Sequence, residues 1–341
     1  MTREPIEVIA TTISGSIKDW AKVERIVPLF KEEGRDDVTL HVVETHSGAR
    51  EIARKLVLGG TRTLISAGGS GTFNRVLEGC IDSGVGLEEI RLGFLRKGSA
   101  DLIGKTLEMP DVIEDAIRVF ARSLEEDRTV PCDVIRVESE GGSGPPRHFV
   151  GYGGAALFGR VPHYTENRFI KYYKGVLGQL LGDMGPFFVG ALLTVIERTL
   201  RDLVRGKQPW SIAVDGREVS RERYQALILA NGYLGPDMPF ARDVPLGSGD
   251  FHLFGLRDLG LLRIPGQFRH AWDGSVLEDP GRWGFDSWRI TGELRLTPGD
   301  ERPFPVNVDG STMPCKGSVS FLSLIHISEP TRPPVASRMP S

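Results

Sequence analysis

The sequence predicts an α/β protein in two parts, an N-terminal parallel sheet with covering helices and a C-terminal β-sandwich-like domain. Two patterns carry the prediction. Up to about Cys132, short apolar runs alternate with segments of helical period. Beyond it, short strand-like runs are separated by turns rich in Gly and Pro.

Taken in order, Ile6 to Ala10, Val38 to Val43, Thr63 to Ala67 and Leu92 to Leu95 read as strands. Between them, Trp20, Val23, Ile26, Val27 and Phe30 share one helical face, and Ala49, Ile52, Ala53 and Leu56 share another. Strand, helix, strand in series implies a parallel sheet covered on both faces, with ligands bound beyond the carboxyl ends of its strands. In the second part, strands are expected at Val134 to Val137, Phe149 to Gly151, Ser211 to Val214, Ala226 to Ala230, Phe251 to Leu256, Trp288 to Leu296 and Val306 to Val308. A largely apolar helical stretch from about Asn167 to Val204 interrupts them. It reads as core, or as a lipid-contacting segment, since its aromatic residues stand beside Arg168, Lys171 and Lys174. The expected division is residues 1 to 132, 133 to 322, and a tail from 323 to 341. That tail, which begins Ser323-Leu324-Ile325-His326, looks like translated sequencing-adapter read-through, so no fold is expected of it and the natural C-terminus is expected to be missing.

Composition excludes several classes. With 42 Lys and Arg against 45 Asp and Glu, the net charge of −3 lacks the cationic excess of a nucleic-acid binder. The longest nearly apolar run, Met184 to Ile196, falls well short of the roughly 20 residues of a membrane span, so no transmembrane segment is expected. Cys80, Cys132 and Cys315 lie far apart and read as free thiols, and no secretory signal opens the chain, which makes the cytoplasm the expected address. His41, His46, His148, His163, His252 and His270 are scattered, and no metal cluster is expected from them. Asp250 and His252 read as surface residues at a strand end.

The chemistry is expected where Thr63 to Ala67 runs into Gly68-Gly69-Ser70-Gly71-Thr72 and then into the helical Phe73-Asn74-Arg75-Val76-Leu77. Strand, glycine turn and helix form a phosphate trap: glycines let backbone N–H groups approach a phosphate, and a helix N-terminus adds positive potential. The loop has neither the Walker nor the Rossmann spacing, and a merely structural turn would look the same.

The wider pattern resembles the diacylglycerol kinase catalytic domain family of lipid kinases, which is related to NAD kinases. The family's Gly-Gly-Asp-Gly-Thr-x-Asn-Glu-Val is similar to Gly68 through Val76. Its Asn-Pro-x-Ser-Gly turn is similar to Thr11 through Gly15, its Thr before a helix start to Thr45, and its Leu-Gly-x-x-Pro-x-Gly-Thr-Gly-Asn-Asp-Phe-Ala-Arg to Leu92 through Lys105, with Ser99 in place of the Thr and Asp101 in place of the Asn. In the second domain, Leu227 through Pro239 and Val306 through Ser311 continue the resemblance.

The resemblance implies an ATP-dependent kinase that transfers the γ-phosphoryl group to a diacylglycerol- or sphingoid-like lipid hydroxyl, with Mg²⁺ at the phosphates. It implies peripheral attachment to a membrane surface, where the lipid resides. Gly68, Gly69, Gly71 and Thr72 would cradle phosphates, joined by Asn74. Ser14, Gly15, Thr45, Lys97, Gly98, Ser99 and Asp101 would border the nucleotide. Asp309 would order Mg²⁺ or the attacking hydroxyl, and by its own Asp-Gly context it also reads as a turn residue. Three family carboxylates are serines here: Ser70, at the phosphates; Ser248; and Ser311, in place of the usual candidate general base. Two alternatives follow, a catalytically weak nucleotide- or lipid-binding pseudokinase and an NAD-kinase-like activity.

Overall fold

A computed structural model describes residues 4–12, 20–96, 103–104, 107, 109–142, 144–160, 208–235 and 238–324. The apolar stretch expected at Asn167 to Val204 lies outside the described residues.

The first sheet contains β1 (Ile6–Thr11), β2 (Val38–Val43), β3 (Thr63–Gly68) and β4 (Arg91–Arg96), all parallel, in the order β2-β1-β3-β4. Every residue of β3 is buried, as a central parallel strand requires. Helices α3 (His46–Leu58) and α4 (Ser70–Asp82) cover one face through Ala49, Ala53, Val57, Val76 and Cys80. Their close approach depends on Gly79, where a Cβ would fall 2.2 Å from the Arg50 carbonyl oxygen. The other face is covered by α2 (Ile26–Glu32) and the helix Ile113–Glu125. The helix expected to run unbroken from Trp20 to Phe30 is two, α1 (Trp20–Glu24) and α2. Pro28 explains the break, because inside a continuous helix it could not donate to Glu24 and would clash with that carbonyl; in the first turn of α2 it is tolerated.

Two six-stranded antiparallel sheets form the sandwich. One has the order β12-β11-β10-β7-β14-β15, the other β6-β5-β16-β13-β8-β9. In chain order these are β5 (Ile135–Ser139), β6 (Arg147–Phe149), β7 (Tyr152–Ala156), β8 (Trp210–Val214), β9 (Arg217–Glu222), β10 (Tyr224–Ala230), β11 (Phe251–Arg257), β12 (Phe285–Ile290), β13 (Glu293–Pro298), β14 (Phe304–Val308), β15 (Ser311–Cys315) and β16 (Val319–Ser323). Their inner faces share one core, in which Phe149, Ile212, Leu294 and Phe321 of one sheet meet Leu227, Leu229, Leu253 and Val306 of the other.

Two expected strands turn out to straddle corners where the chain changes sheets. Phe149 closes β6 in one sheet and Tyr152 opens β7 in the other, with Val150 and Gly151 as the crossing. Trp288 to Leu296 divides at Thr291-Gly292 into β12 and β13, again in different sheets. The tail was expected to begin at Ser323, yet Ser323 pairs with Ile135 and the Leu324 N–H donates to the Val134 carbonyl at 2.9 Å. Backbone pairing of this kind needs no particular side chain. Residues 325–341 lie outside the described residues.

Candidate phosphate-binding site

β3 ends at Gly68, Gly69 is extended, and α4 begins at Ser70 with no side chain capping it. The Thr72 and Phe73 N–H groups bond to the Gly69 carbonyl, whereas those of Ser70 and Gly71 have no partner among the described residues. Two such amides at a helix N-terminus are able to receive an anion. Gly68 is required by packing: a Cβ there would lie 2.6 Å from Thr72 Oγ1. The Thr72 side chain, expected to reach a phosphate, is buried, and its hydroxyl is bonded to Thr11 Oγ1 at 2.7 Å. It ties α4 to β1.

The N-terminus of α3 faces the same loop. Thr45 caps α3, its Oγ1 accepting from the Gly48 N–H at 2.9 Å. The His46 ring lies against Gly71, where a Cβ would approach Nε2 to 3.3 Å. His46 Nε2 is buried without a partner, and burial, aided by Arg75, holds the ring below its ordinary pKa. Asn74 is 1% exposed, and both atoms of its amide lack partners. Buried polar atoms are rarely left so, and these two side chains mark a place that a polar ligand suits. Asn74 was expected here from the motif; His46 was read as one of several scattered histidines, and nothing in its spacing singled it out. Ser14, Gly15, Lys97, Gly98, Ser99 and Asp101 lie outside the described residues.

The sandwich meets this loop at the β14–β15 turn. Asp309 (φ 46°) and Gly310 (φ 81°) form a two-residue hairpin turn. A Cβ on Gly310 would lie 3.0 Å from the Tyr152 hydroxyl and 3.6 Å from Ser70 Oγ. The turn therefore stands between the glycine loop and Tyr152, with Ser311 next in sequence at the start of β15.

Asp309 was expected at a metal ion or a hydroxyl. Its carboxylate is fully buried and accepts from the N–H groups of Val150 (3.0 Å), Gly151 (3.1 Å) and Tyr152 (2.8 Å). Asn231 serves the carbonyl side of the same corner: its Nδ2 donates to the Val150 oxygen and its backbone N–H to that of Gly151. With the Asp309 N–H on the Tyr152 carbonyl, all six backbone polar groups of 150 to 152 are satisfied. Asp309 is thus the anchor of a sheet-switching corner. Among the described residues no group of three or more His, Cys, Asp and Glu is placed to hold a metal ion, so they do not fit a protein-built Mg²⁺ cage.

Asp250, expected on the surface, is 1% exposed; it pairs with Arg289 and accepts from Ser248 Oγ at 2.7 Å. Gly249 beside it donates to Asp133, which draws this turn into the same buried polar region. Cys80 and Cys132 are thiols pushed up to about 12 by burial, and Cys315 to about 11, so none is a nucleophile.

Two further features adjoin the site. Glu78 of α4, 2% exposed, is ion-paired with Arg75 (2.6 Å), Arg50 (3.3 Å) and Arg147 of β6 (2.8 Å). Beyond Tyr152, whose ring meets Phe158 edge-on at 6.0 Å, a cavity of about 70 Å³ is lined by apolar side chains that include Phe158, Ile228, Met238, Phe240 and Phe268.

The fold is a parallel α/β domain whose central strand delivers a glycine turn to a helix N-terminus, joined to an antiparallel sandwich, and such a turn is suited to receiving an anion. Residues 5–137 match the model of the diacylglycerol kinase catalytic domain. The match supports a lipid-kinase kind of function. Among solved structures, the crystal structure of a diacylglycerol kinase from Bacillus anthracis str. Sterne is similar with a TM-score of 0.62 and 17% identity, covering 94% of this chain and 95% of that one. A second structure from the same organism, described as that of a putative diacylglycerol kinase, has a TM-score of 0.67 and 19% identity over 94% of this chain and 95% of its own. The likeness extends the shared fold through the sandwich. No curated protein matches the chain in sequence. No helix among the described residues is long and apolar enough to cross a membrane.

Proposed function

We propose that the chain is an ATP-dependent lipid kinase, transferring the γ-phosphoryl group of ATP to a lipid hydroxyl. The observation that carries this reading is one line of contacts: the partnerless amides of Ser70 and Gly71, the Asp309–Gly310 turn against Ser70, Tyr152 against that turn, and Phe158 leading from Tyr152 to an apolar cavity. A triphosphate at the amides and an acyl chain passing the cavity, which at about 70 Å³ has room for only a few of its carbons, would bring a lipid headgroup to the Ser70–Gly310 contact. By resemblance, Ser14, Gly15, Thr45, Lys97, Gly98, Ser99 and Asp101 border the nucleotide.

Phosphoryl transfer depends mainly on positioning and on neutralising the phosphate oxygens. Here Ser70 and Gly71 supply N–H donors, and Asn74 and His46 hold polar atoms in reserve. Asp309 acts on the reaction by fixing the turn. Mg²⁺, which binds readily through one or two carboxylates and substrate phosphates, would enter on the triphosphate. A general base contributes roughly 100- to 10,000-fold, and with serine at 311 that contribution is missing from the expected position.

This last point favours a second reading, a pseudokinase that binds nucleotide and lipid with little turnover. Incubation with γ-labelled ATP, Mg²⁺ and a lipid extract distinguishes them: label in the lipid fraction supports the kinase, and nucleotide-dependent thermal stabilisation without transfer supports the pseudokinase. Adding NAD to the same assay reads out the NAD-kinase-like alternative as a phosphorylated dinucleotide.

A further inference from the structure

Two side chains at the glycine loop carry buried polar atoms that no neighbour satisfies, and one of them, His46, falls outside every motif of the sequence. His46 opens α3, and its ring is laid against the first turn of α4: a Cβ on Gly71 would meet ring Cε1 and Nε2, each at 3.3 Å. The lack of a side chain at 71 lets the ring come this close to the helix start. Nε2 is buried with no hydrogen-bond partner, and it stands beside the turn whose Ser70 and Gly71 N–H groups are also partnerless among the described residues.

Asn74 is an independent sign of the same kind. It stands three residues after Gly71, and because side chains of a helix lean towards its N-terminus, its amide is directed at the turn formed by Ser70 and Gly71. It is 1% exposed, and neither amide atom has a partner. An imidazole nitrogen, an amide and two backbone N–H groups, all unsatisfied around one turn, make an incomplete shell, since buried polar atoms are rarely left so. A group that accepts several hydrogen bonds completes it.

Charge says which kind of acceptor. Neither α3 nor α4 has an acidic residue in its first turn, and Ser70 stands where the resemblance implies a carboxylate. Arg75 of α4 is near enough to oppose protonation of the ring, although it is itself engaged by Glu78 at 2.6 Å. Arg50, one turn further along α3, is held by Asp82 and Glu78. The strand ends beneath, Thr11 and Val43, carry no charge, and Glu44 beside them is exposed. Burial and Arg75 therefore keep the ring of the free chain neutral at neutral pH. An anion arriving at Nε2 brings the opposite charge that favours the imidazolium.

We infer that His46 is a polyphosphate ligand: it takes up a proton from solvent as the anion settles on the Ser70 and Gly71 amides, and its Nε2–H donates a charge-assisted hydrogen bond to a phosphate oxygen. The inference rests on the proposed function only in placing a phosphate chain at the loop; it needs neither adenosine nor a lipid nor transfer. Because the anion raises the pKa of the bound ring above that of the free one, affinity should rise as pH falls through the bound-state pKa.

The test is calorimetric titration of the full chain with ATP and with inorganic tripolyphosphate, Mg²⁺ present, in two buffers of different ionisation enthalpy. Comparison with His46→Gln cancels the ligand's own protons: the wild type should take up as much as about one proton more per anion bound, and should gain about tenfold in affinity over the variant between about pH 8 and about pH 6. His46→Leu, with no donor, should bind tripolyphosphate about tenfold more weakly than the wild type at about pH 6.5. Both variants should melt close to the wild type, since no hydrogen bond of the fold runs through Nε2. If wild type and variants bind ATP equally and with the same proton count, the inference is overturned and the proposed function stands. Tripolyphosphate bound with the extra proton by a chain that ignores ATP keeps the inference and removes the kinase. A chain that binds neither overturns both.

Discussion

Asp309 and Tyr152 hold each other through two hydrogen bonds: the Asp309 N–H donates to the Tyr152 carbonyl at 2.9 Å, and the Tyr152 N–H donates back to Asp309 Oδ1 at 2.8 Å. The carboxylate also takes the N–H groups of Val150 and Gly151, so its removal orphans buried amides at the corner where the chain changes sheets. Asp309→Ala should cost about 3 kcal/mol or more in urea unfolding, from bonds to a charged acceptor and the amides left unpaired. Asp309→Asn, which keeps one carbonyl oxygen and tolerates the left-handed backbone, should lose less. If either variant unfolds at the wild-type urea midpoint, the anchoring role is refuted.

The first four strands were legible because each is a short apolar run that stays in one sheet, and β2 runs from Val38 to Val43 as expected. Phe149 to Gly151 and Trp288 to Leu296 were misread because an apolar run looks the same whether or not the chain crosses between sheets within it. Only the paired partners differ. The glycine loop was legible by motif, and so was the alternative for Asp309 as a turn residue. That its carboxylate anchors residues some 150 positions earlier is a long-range contact with no local signature. His46 and Tyr152 likewise owe their places to packing.

Glu78 is the buried carboxylate on which Arg50, Arg75 and Arg147 converge, and Arg147 brings β6 of the sandwich to α4 of the first domain. Removing the charge leaves partly buried guanidinium groups without their common partner. Glu78→Gln should lower stability by about 2–3 kcal/mol, less than for a fully buried pair because water reaches the arginines. Chemical denaturation at low and at high salt checks it: the loss should persist in salt, which screens a buried pair weakly.

His148, buried beside this cluster, is pushed down to about 4 from the ordinary 6.5, chiefly by burial. The folded chain therefore holds the ring neutral while the unfolded chain takes up a proton near pH 6.5. Stability from this group is complete above that pH and is lost as pH falls towards 4, by up to about 3 kcal/mol. His46 and His252 are shifted in the same direction by burial and add to the slope. Melting temperatures across this window should fall less steeply for His148→Gln than for the wild type. Parallel curves would assign the acid sensitivity elsewhere.

Gly69 precedes the two partnerless amides at the start of α4. Gly69→Asp should leave the fold intact, since the backbone there is extended (φ −93°, ψ 177°) and open to any residue. It sets a carboxylate against the expected phosphates, and ATP affinity measured by calorimetry should fall by about 100-fold or more, the scale of losing charge-assisted bonds and adding repulsion. Unchanged affinity in a folded variant would show that the triphosphate does not sit at this loop.

Ser70 lies beside the Asp309–Gly310 turn in space and Ser311 follows it in sequence, and the resemblance implies carboxylates at both positions. Ser311 is partly exposed at the start of β15, opposite Val308, so a larger side chain can be accommodated there without entering the core. Ser311→Glu should restore a proton acceptor and raise phosphoryl transfer from ATP to lipid by roughly 100-fold, the lower end of what a general base supplies. Ser70→Asp alone should mainly change the dependence on Mg²⁺, because a carboxylate on the first turn of α4 offers the cation a ligand beside the phosphates. Neither change should alter thermal stability by much, which separates a catalytic effect from a structural one. If Ser311→Glu folds, binds ATP as the wild type does and still transfers phosphate no faster, the acceptor hydroxyl does not approach the triphosphate across this turn, and the reacting groups must meet on another face of the loop.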